Sequence, residues 1–234
     1  QNEKLIQTVK ELHSHFDSQI VLLHVLPEKL RKQSLGDMVS KAAKENLQTI
    51  KSELAKNGVD EAETLVEYGS VFDKTIDTAE EYEVNVILMG PGNQNTDDPY
   101  HFGTSVEKVI RKTNIPVWVV RGDDVSSIER LLCPVDFSES SKRALNNAIT
   151  LARTFNAKLD ILAVFEPVLS YSRWIKADLE EENEKAYKDF QQQYEHFLKE
   201  FDLKGVKWEK VLKQGTVDQV ITNYKQQNNI NLLD

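Results

Sequence analysis

Hydrophobic residues follow two different spacings along this chain, and the two spacings alternate. Short apolar runs at residues 19–26 and 158–166 are typical of strands that are buried on both faces. Between such runs, apolar residues recur every three or four positions, as Leu5, Val9 and Leu12 do, which predicts amphipathic helices. Because parallel strands need crossovers between them, this alternation predicts an α/β sandwich with mainly parallel sheets.

The predicted elements occur in the same order in both halves of the chain. In the first half we expect helices at 2–16, 37–56, 71–82 and from 103, and strands at 19–26, 63–69, 86–89 and 115–120. In the second half we expect strands at 131–136, 158–166, 206–214 and 230–233, with helices up to 155 and at 174–201 and 217–227.

The second half repeats the first. Phe16 precedes an apolar strand of the first half just as Phe155 precedes the corresponding strand of the second. Each half is long enough to bury its own core, so the repeat indicates a tandem duplication. We predict two Rossmann-like α/β domains at residues 1–122 and 127–234, joined by a short polar linker.

Charge and cysteine content narrow the classes of function. The chain carries 29 Lys and Arg against 38 Asp and Glu, which gives a net charge of −9. Such an acidic chain lacks the basic surface that nucleic-acid binding requires, and no apolar run reaches the length of a membrane span. We therefore expect neither a nucleic acid nor a membrane as partner. The single cysteine, Cys133, is expected in the core and suits a reducing cytoplasm.

The candidate binding chemistry lies in residues 84–121, where the pattern predicts strand, loop, helix and strand. The first strand ends at Gly90, a loop rich in Gly, Asn, Asp and Pro follows, and a helix begins near Gly103. Thr104 is the predicted N-cap, with Glu107 three residues later in the capping-box arrangement. A loop of this kind presents backbone N–H groups to an anion, and the helix dipole favours negative charge there.

This stretch resembles the universal stress protein family, whose members carry Gly, two residues, Gly, nine residues, Gly and then Ser or Thr. Gly90, Asn93, Gly103 and Thr104 occupy those positions, so Asn93 replaces the second glycine and Gly92 lies one place earlier. In the nucleotide-binding branch of the family this loop holds the phosphates of ATP. The resemblance therefore implies ATP as the ligand, with Mg²⁺ accompanying it.

A second resemblance to this family lies in residues 133–141, CPVDFSESS. In the family the Asp that ends this strand contacts the adenosine part of the nucleotide, and Asp136 holds that position. The resemblance implies that the base lies near Asp136 and near Val25 or Val164, at the ends of strands. The implied contacts to the rest of the nucleotide come from the loop and the helix start: Met89, Gly90, Gly92, Asn93, Gly103, Thr104 and Ser105.

Neither half contains every part of this site within residues 1–234. The first half has the loop but no counterpart of the strand that ends at Asp136, and the second half stops within the strand that should lead to its own loop. Because the first strand of such a sheet is central, its absence would leave backbone polar groups unpaired. We therefore expect further residues before Gln1 and after Asp234.

Several candidate residues also have a purely structural interpretation. Gly90 and Gly103 could serve only as turn glycines, and Asp136 only as a turn former at a strand end. Ser138 is expected to cap a helix and not to be a phosphorylation site. His24 lies in an apolar strand and is expected to be a buried histidine with hydrogen-bond partners. The aromatic residues of the helix at 174–201 are expected to form a packing stripe and not a base-stacking surface.

The sequence is compatible with two functions, and enzymatic activity is not expected because no paired general acid and base lies near the loop. The first function is a cytoplasmic universal stress protein that binds adenine nucleotide in the response to stress. The second is an interaction scaffold that binds no nucleotide. It is suggested by Asn93 and by Asp97 and Asp98, which add negative charge to a loop that would hold phosphates.

The resemblance also implies how the two halves associate. Domains of the family pair through their last strands, and a tandem chain can make that pairing within itself; a homodimer is the alternative. Residues 115–120 form the candidate edge strand, since they are apolar on both faces and suit burial in such a contact. A charge placed there by Val119→Lys should then destabilise both halves together.

Overall fold

The chain forms two compact units, each of which alternates helices with strands. The computed structural model describes residues 2–33, 35–92, 102–121, 128–167 and 176–233. Unit 1 comprises Gln1–Ser126 and unit 2 comprises Ser127–Asp234. All strand pairs among the described residues are parallel, so the predicted α/β class with parallel sheets is confirmed.

The helices and strands of unit 1 lie within three residues of their predicted bounds. In chain order they are α1 (Asn2–Phe16), β1 (Ile20–Leu26), α2 (Gly36–Ala55), β2 (Ala62–Tyr68), α3 (Val71–Glu81), β3 (Ile87–Met89), α4 (Thr104–Lys112) and β4 (Val117–Val119). A short 3₁₀ helix at Glu28–Lys32, which the hydrophobic pattern did not predict, begins after Pro27 ends β1. The Leu30 N–H donates to the Pro27 carbonyl at 2.9 Å in its first turn.

Unit 2 agrees with its prediction equally well. Its elements are β5 (Arg130–Val135), α5 (Glu139–Phe155), β6 (Lys158–Phe165), α6 (Lys176–Leu198), β7 (Lys207–Gln214), α7 (Val217–Gln227) and β8 (Leu232–Leu233). The helix α1 corresponds to α5 in the repeat, β1 to β6, α2 to α6, β2 to β7, α3 to α7 and β3 to β8. The internal repeat of the sequence is therefore a repeat of structure.

The two units differ in how their strands pair. In unit 2 the strand order is β7-β6-β5-β8, so β5 is central and pairs with a strand on each side. In unit 1, β1 pairs with β2 and β3 pairs with β4, as two separate two-stranded sheets within the described residues. The described residues of unit 1 thus contain no strand that joins β1 to β3 as β5 joins β6 to β8.

Burial follows this difference in pairing. Leu159, Ile161 and Leu162 of β6 have no exposed surface, and Cys133 of β5 is equally buried, as expected for a core residue. The side chains of β1 are mostly half-buried, and His24 is exposed. The prediction of a buried His24 is wrong because β1 is covered less completely than its apolar sequence suggested.

Two apolar clusters lie within the described residues of unit 1. One lies between α1, α2 and the β1-β2 pair, and the other between α3, α4 and the β3-β4 pair. The first cluster contains Ile6, Leu54, Val59 and Ala62, and the second contains Ala79, Ile87 and Val109. Because the second cluster lies under β3 and α4, it fixes the two elements that flank the candidate loop.

A buried carboxylate ties the sheet of unit 2 to its last helix. Asp160 of β6 is fully buried, and the Arg130 guanidinium donates to its Oδ2 from Nε at 2.7 Å. The Tyr224 hydroxyl of α7 donates to the same oxygen at 3.1 Å. Burial, together with the neighbouring negative charge of Asp160, raises the pKa of Tyr224 to about 12. The buried charge is therefore compensated by groups from β5 and α7.

Candidate functional site

Gly90, Pro91 and Gly92 turn the chain out of β3 and toward α4. Gly92 has a φ of 77°, a backbone conformation that glycine adopts readily and other residues rarely adopt. The two ends of the loop meet, since the Gly103 N–H donates a hydrogen bond to the Pro91 carbonyl at 2.8 Å. A Cβ atom at position 92 would lie 3.2 Å from the Gly103 Cα, so a side chain there would crowd this contact.

The helix α4 begins directly at this closed loop. Its N-cap is Gly103, and no side chain caps the helix among the described residues. The predicted capping box of Thr104 and Glu107 is therefore wrong: Gly103 takes the extended backbone of the cap position, with φ −64° and ψ 149°, and Thr104 becomes the first helical residue. The exposed Thr104 and the half-buried Ser105 place hydroxyl groups beside first-turn N–H groups that lack a side-chain cap.

The structure brings together most of the loop residues that were predicted from the sequence. Met89 ends β3, Gly90 follows it, and Gly92 meets Gly103 at the start of α4. Asn93 lies outside the described residues, as do Asp97 and Asp98. Within the described part of the loop, Gly92, one place before the position of the family's second glycine, lies close to Gly103.

Arg121 is a cationic residue beside this loop that was not among the candidates from the sequence. The Val120 N–H donates to the Met89 carbonyl at 2.9 Å, so the chain beyond β4 runs next to the end of β3. The Arg121 guanidinium carbon lies 4.1 Å from the ring centre of Phe102, the residue before the α4 N-cap. The sequence feature that could have identified Arg121 is its position directly after the predicted strand at 115–120.

In unit 2, Asp136 follows the last residue of β5 and accepts several hydrogen bonds from the turn into α5. Its Oδ1 accepts from the Ser138 hydroxyl at 2.5 Å, the Ser138 N–H at 3.0 Å and the Ser141 hydroxyl at 2.8 Å. The Oδ2 atom accepts none of the hydrogen bonds found between described residues. The side chain is exposed, so this second oxygen can accept from a ligand.

These hydrogen bonds also fix the charge of Asp136. The Ser138 hydroxyl, the Ser138 N–H and the Ser141 hydroxyl together lower the pKa of the Asp136 carboxyl below its ordinary value. Asp136 is therefore an anionic acceptor at neutral pH.

Ser138 caps α5, as the sequence predicted. The Ser141 N–H donates to the Ser138 hydroxyl oxygen at 3.2 Å. The same hydroxyl is the donor to Asp136, so one serine joins the helix start to the candidate site.

Val164 lies beside Asp136 at the carboxyl edge of the unit 2 sheet. Val135 pairs with Ala163 in the register of β5 and β6, so the next residues, Asp136 and Val164, are neighbours. Val25 is the next-to-last residue of β1 in unit 1 and is half-buried. The predicted site residues thus form one set in each unit, with the loop in unit 1 and Asp136 with Val164 in unit 2.

Within the ranges that the structure describes, no group of three or more His, Cys, Asp or Glu residues could hold a metal ion. In those same ranges, none of the helices combines the length and the apolar character needed to cross a membrane.

The chain has two repeated α/β units, one with a glycine loop that leads to a helix start and the other with an aspartate at a strand end. These features define a tandem α/β protein. The model of the universal stress protein family matches residues 1–121 and 127–233. The chain therefore belongs to the universal stress protein family and carries its unit twice, which confirms the resemblance seen in the sequence. A comparison with curated protein sequences gave no match.

Solved structures agree with this assignment. A universal stress protein from Archaeoglobus fulgidus is similar over 98% of this chain and 80% of its own, with a TM-score of 0.71 and 21% identity. A putative universal stress protein from Pseudomonas aeruginosa is similar over 97% of this chain and 75% of its own, with a TM-score of 0.64 and 15% identity. At these identities the likeness supports the fold of both units together.

Proposed function

We propose that this protein is a cytoplasmic binding module for adenine nucleotide, with ATP as its ligand and a role in the response to stress. The observation that carries the proposal is the closed glycine loop of unit 1, where Gly92 packs against Gly103 at a helix start without a side-chain cap in the described chain. Backbone N–H groups and the helix dipole favour an anion there, and phosphate is the anion that the family resemblance implies.

Arg121 supports a phosphate ligand at this loop. Its cation lies over Phe102, close to the positively polarised start of α4. Two sources of positive potential at one place favour a bound anion, and guanidinium groups match phosphate oxygens well. Mg²⁺ would accompany ATP mainly through the phosphate oxygens, which commonly provide most of its ligands besides water.

Asp136 supports a contact to the adenosine part of a nucleotide. Its Oδ1 accepts from Ser138 and Ser141, and its Oδ2 accepts none of the hydrogen bonds found between described residues. The exposed residue lies at the strand end next to Val164. A ribose hydroxyl or an adenine amino group is a donor, and a carboxylate oxygen accepts such donors strongly. The half-buried Val164 offers apolar surface for a base.

Isothermal titration of the intact protein with ATP and Mg²⁺ tests the proposal. Saturable heat with a dissociation constant at or below about 1 mM is expected, since that affinity already requires several specific contacts. Titration with inorganic triphosphate tests the loop of unit 1, and titration with adenosine tests Asp136 of unit 2. Absence of binding by all three at millimolar concentration would contradict the proposal.

The variant Gly92→Ala tests the loop itself. Its methyl group would crowd Gly103 and would have to take a φ that L-residues disfavour, so the affinity for ATP and for triphosphate should fall by about tenfold or more. Gly58→Ala is the matched control, because Gly58 has a similar φ of 86° but no atom within 4 Å of an added Cβ. Equal affinities for the two variants would show that the loop does not hold phosphate.

The proposal is for binding without catalytic turnover. The residues around the loop and around Asp136 provide no paired general acid and base among those described, and no catalytic residue is assigned. A phosphate-release assay with ATP and Mg²⁺ is expected to show turnover far below the typical enzyme range of about 10 per second. Turnover in that range would make the protein an enzyme.

An interaction scaffold that does not bind nucleotide is the alternative. It is favoured by β4, which is an edge strand of the β3-β4 pair within the described residues and carries three half-buried apolar side chains. The triple change Asn93→Gly, Asp97→Ser and Asp98→Ser separates the two functions. Nucleotide affinity that appears only in this variant would favour the scaffold.

A further inference from the structure

Phe137 has a backbone conformation that is unfavourable for its residue type. Its φ is 66°, in the left-handed region, where a bulky side chain is rarely found. The residue lies directly between Asp136 and Ser138, at the turn from β5 into α5. A strained conformation of this kind persists only where surrounding contacts hold it.

Three aromatic side chains of α6 surround the Phe137 ring. Its centre lies 4.9 Å from that of Phe190, 5.3 Å from that of Phe197 and 5.6 Å from that of Tyr194, on which it stacks. Aromatic pairs at these distances attract one another beyond the effect of their burial. This cluster confirms that the aromatic stripe of α6 packs, and it shows that the stripe packs on the turn after β5.

The helix α6 is itself fixed to the sheet. Tyr194 is fully buried, and its hydroxyl donates to the Ile161 carbonyl of β6 at 2.6 Å. Beyond the end of α6, Glu200 accepts from the Lys142 ammonium of α5 at 2.8 Å. The Phe137 ring therefore packs on a helix that Tyr194 attaches to β6. The segment that follows this helix is attached to α5 through Glu200.

The turn that Phe137 occupies determines where the Asp136 carboxylate points. Its Oδ1 is held by the Ser138 N–H and hydroxyl, so the direction of the side chain depends on the backbone at residue 137. If residue 137 left the left-handed region, the Ser138 N–H would turn away from Asp136. The Oδ2 atom would then lose its fixed direction.

We infer that Phe137 is a positioning residue for the nucleotide site: its ring, held by α6, keeps the turn after β5 in the conformation that presents Asp136 to the ligand. This inference rests on the function proposed above, with Asp136 as the contact to the adenosine part. The packing of α6 and the binding of nucleotide are thereby coupled through one side chain.

Two substitutions at position 137 separate the ring from the backbone. Phe137→Ala keeps a Cβ atom, and therefore the cost of a positive φ, but removes the ring that compensates for it. Phe137→Gly removes the ring and that cost together, so the turn remains accessible. Phe201→Ala is the matched control, because the Phe201 ring lies 5.0 Å from that of Phe197 and is not one of the three rings that surround Phe137.

The experiment uses the full chain and measures two quantities. NMR titration of the side-chain carboxyl carbon gives the pKa of Asp136, which the serine hydrogen bonds hold below its ordinary value. Isothermal titration gives the affinity for ATP with Mg²⁺ and for adenosine. Thermal unfolding of each variant shows that it is folded. If Phe137→Ala does not fold, Phe190→Leu takes its place, because it replaces one ring that contacts Phe137 by an aliphatic side chain.

We expect the pKa of Asp136 to rise toward its ordinary value in Phe137→Ala, to rise less in Phe137→Gly and Phe190→Leu, and to stay unchanged in Phe201→Ala. Affinity for adenosine should fall about tenfold in Phe137→Ala, the loss expected when one hydrogen bond to a charged acceptor is disturbed. An unchanged Asp136 pKa in folded Phe137→Ala would overturn the inference. Absence of nucleotide binding by the parent protein would instead overturn the proposed function, which the carboxyl titration does not measure.

Discussion

At the scale of single residues, Ser138 stabilises the start of α5 and orients Asp136 at the same time. Its hydroxyl oxygen accepts from the Ser141 N–H at 3.2 Å, and its hydroxyl hydrogen is donated to Asp136 at 2.5 Å. The sequence predicted the cap, since Ser precedes a helical pattern there. The second hydrogen bond depends on the turn geometry at Phe137 and was not predicted.

Ser138→Ala should lower the free energy of unfolding by about 1 kcal/mol, the usual effect of losing an N-cap. Urea unfolding measures the change. Ser140→Ala is the control: its hydroxyl is exposed and accepts only from Arg143 in the hydrogen bonds found, so its effect should stay within about 0.5 kcal/mol. An equal loss in both variants would mean that the cap contributes nothing specific.

Asp136 should make the stability of the protein depend on acid pH. Hydrogen bonds from Ser138 and Ser141 lower its pKa in the folded state, so its contribution is present above the ordinary value of 3.8 and is lost as the pH falls through the folded value. Between about pH 5 and pH 2 the parent should therefore lose more stability than Asp136→Asn. Unfolding curves at several pH values measure the difference, with Asp189→Asn as the control on the exposed face of α6. Parallel losses in parent and Asp136→Asn would contradict it.

At the scale of elements, Asp160 links β5, β6 and α7. Arg130 approaches its Oδ2 to 2.6 Å through Nη2, and Tyr224 donates to the same oxygen. The Arg130 backbone N–H also donates to the Asn231 side chain at 3.0 Å, just before β8. This network fixes three strands and one helix at the amino edge of the sheet, opposite the edge that carries Asp136.

Asp160→Ala should destabilise the protein by about 3 kcal/mol, because it removes the fully buried carboxylate that pairs with the half-buried Arg130 cation and accepts from the Tyr224 hydroxyl. Glu195→Ala is the control, since Glu195 pairs with Lys210 at 2.9 Å but is mostly exposed, and such pairs contribute about 1 kcal/mol or less. Chemical unfolding compares the two. A loss below 1 kcal/mol for Asp160→Ala would show that the network is not needed for stability.

At the scale of the whole molecule, the two repeats have unequal sheets. The strand β6 is paired on both sides, with β5 and β7, and its central residues are fully buried. The corresponding strand β1 pairs only with β2 among the described residues, and its side chains are mostly half-buried. Local stability follows such differences in pairing and burial.

In a protein that consists of residues 1–234, amide hydrogen exchange should therefore be slower in β6 than in β1, by about tenfold or more at neutral pH. Exchange followed by mass spectrometry of peptides that cover each strand measures it. The helices α1 and α5, which correspond in the repeat, provide the internal comparison for differences unrelated to strand pairing. Equal protection of β1 and β6 would show that the two sheets are equally stable.

The sequence by itself determined the order, type and approximate bounds of the helices and strands, and it showed the repeat. These features depend on local periodicity, which is set by 3.6 residues per helical turn and by alternation along a strand. It also indicated the glycine loop through its composition and its position between a strand and a helix, and Asp136 through the resemblance of residues 133–141 to the family. From residue type alone, however, we predicted that Thr104 would cap α4 and that His24 would be buried. Both predictions were wrong.

Only the tertiary structure decided which groups meet. The approach of Gly92 to Gly103, the place of Arg121 over Phe102 and the strained backbone of Phe137 each depend on contacts between residues that are distant in sequence. Local propensity does not specify those contacts, because they form only when the strands pair into sheets and the helices pack on them. Sequence therefore named the loop and the carboxylate, and packing determined how each is held.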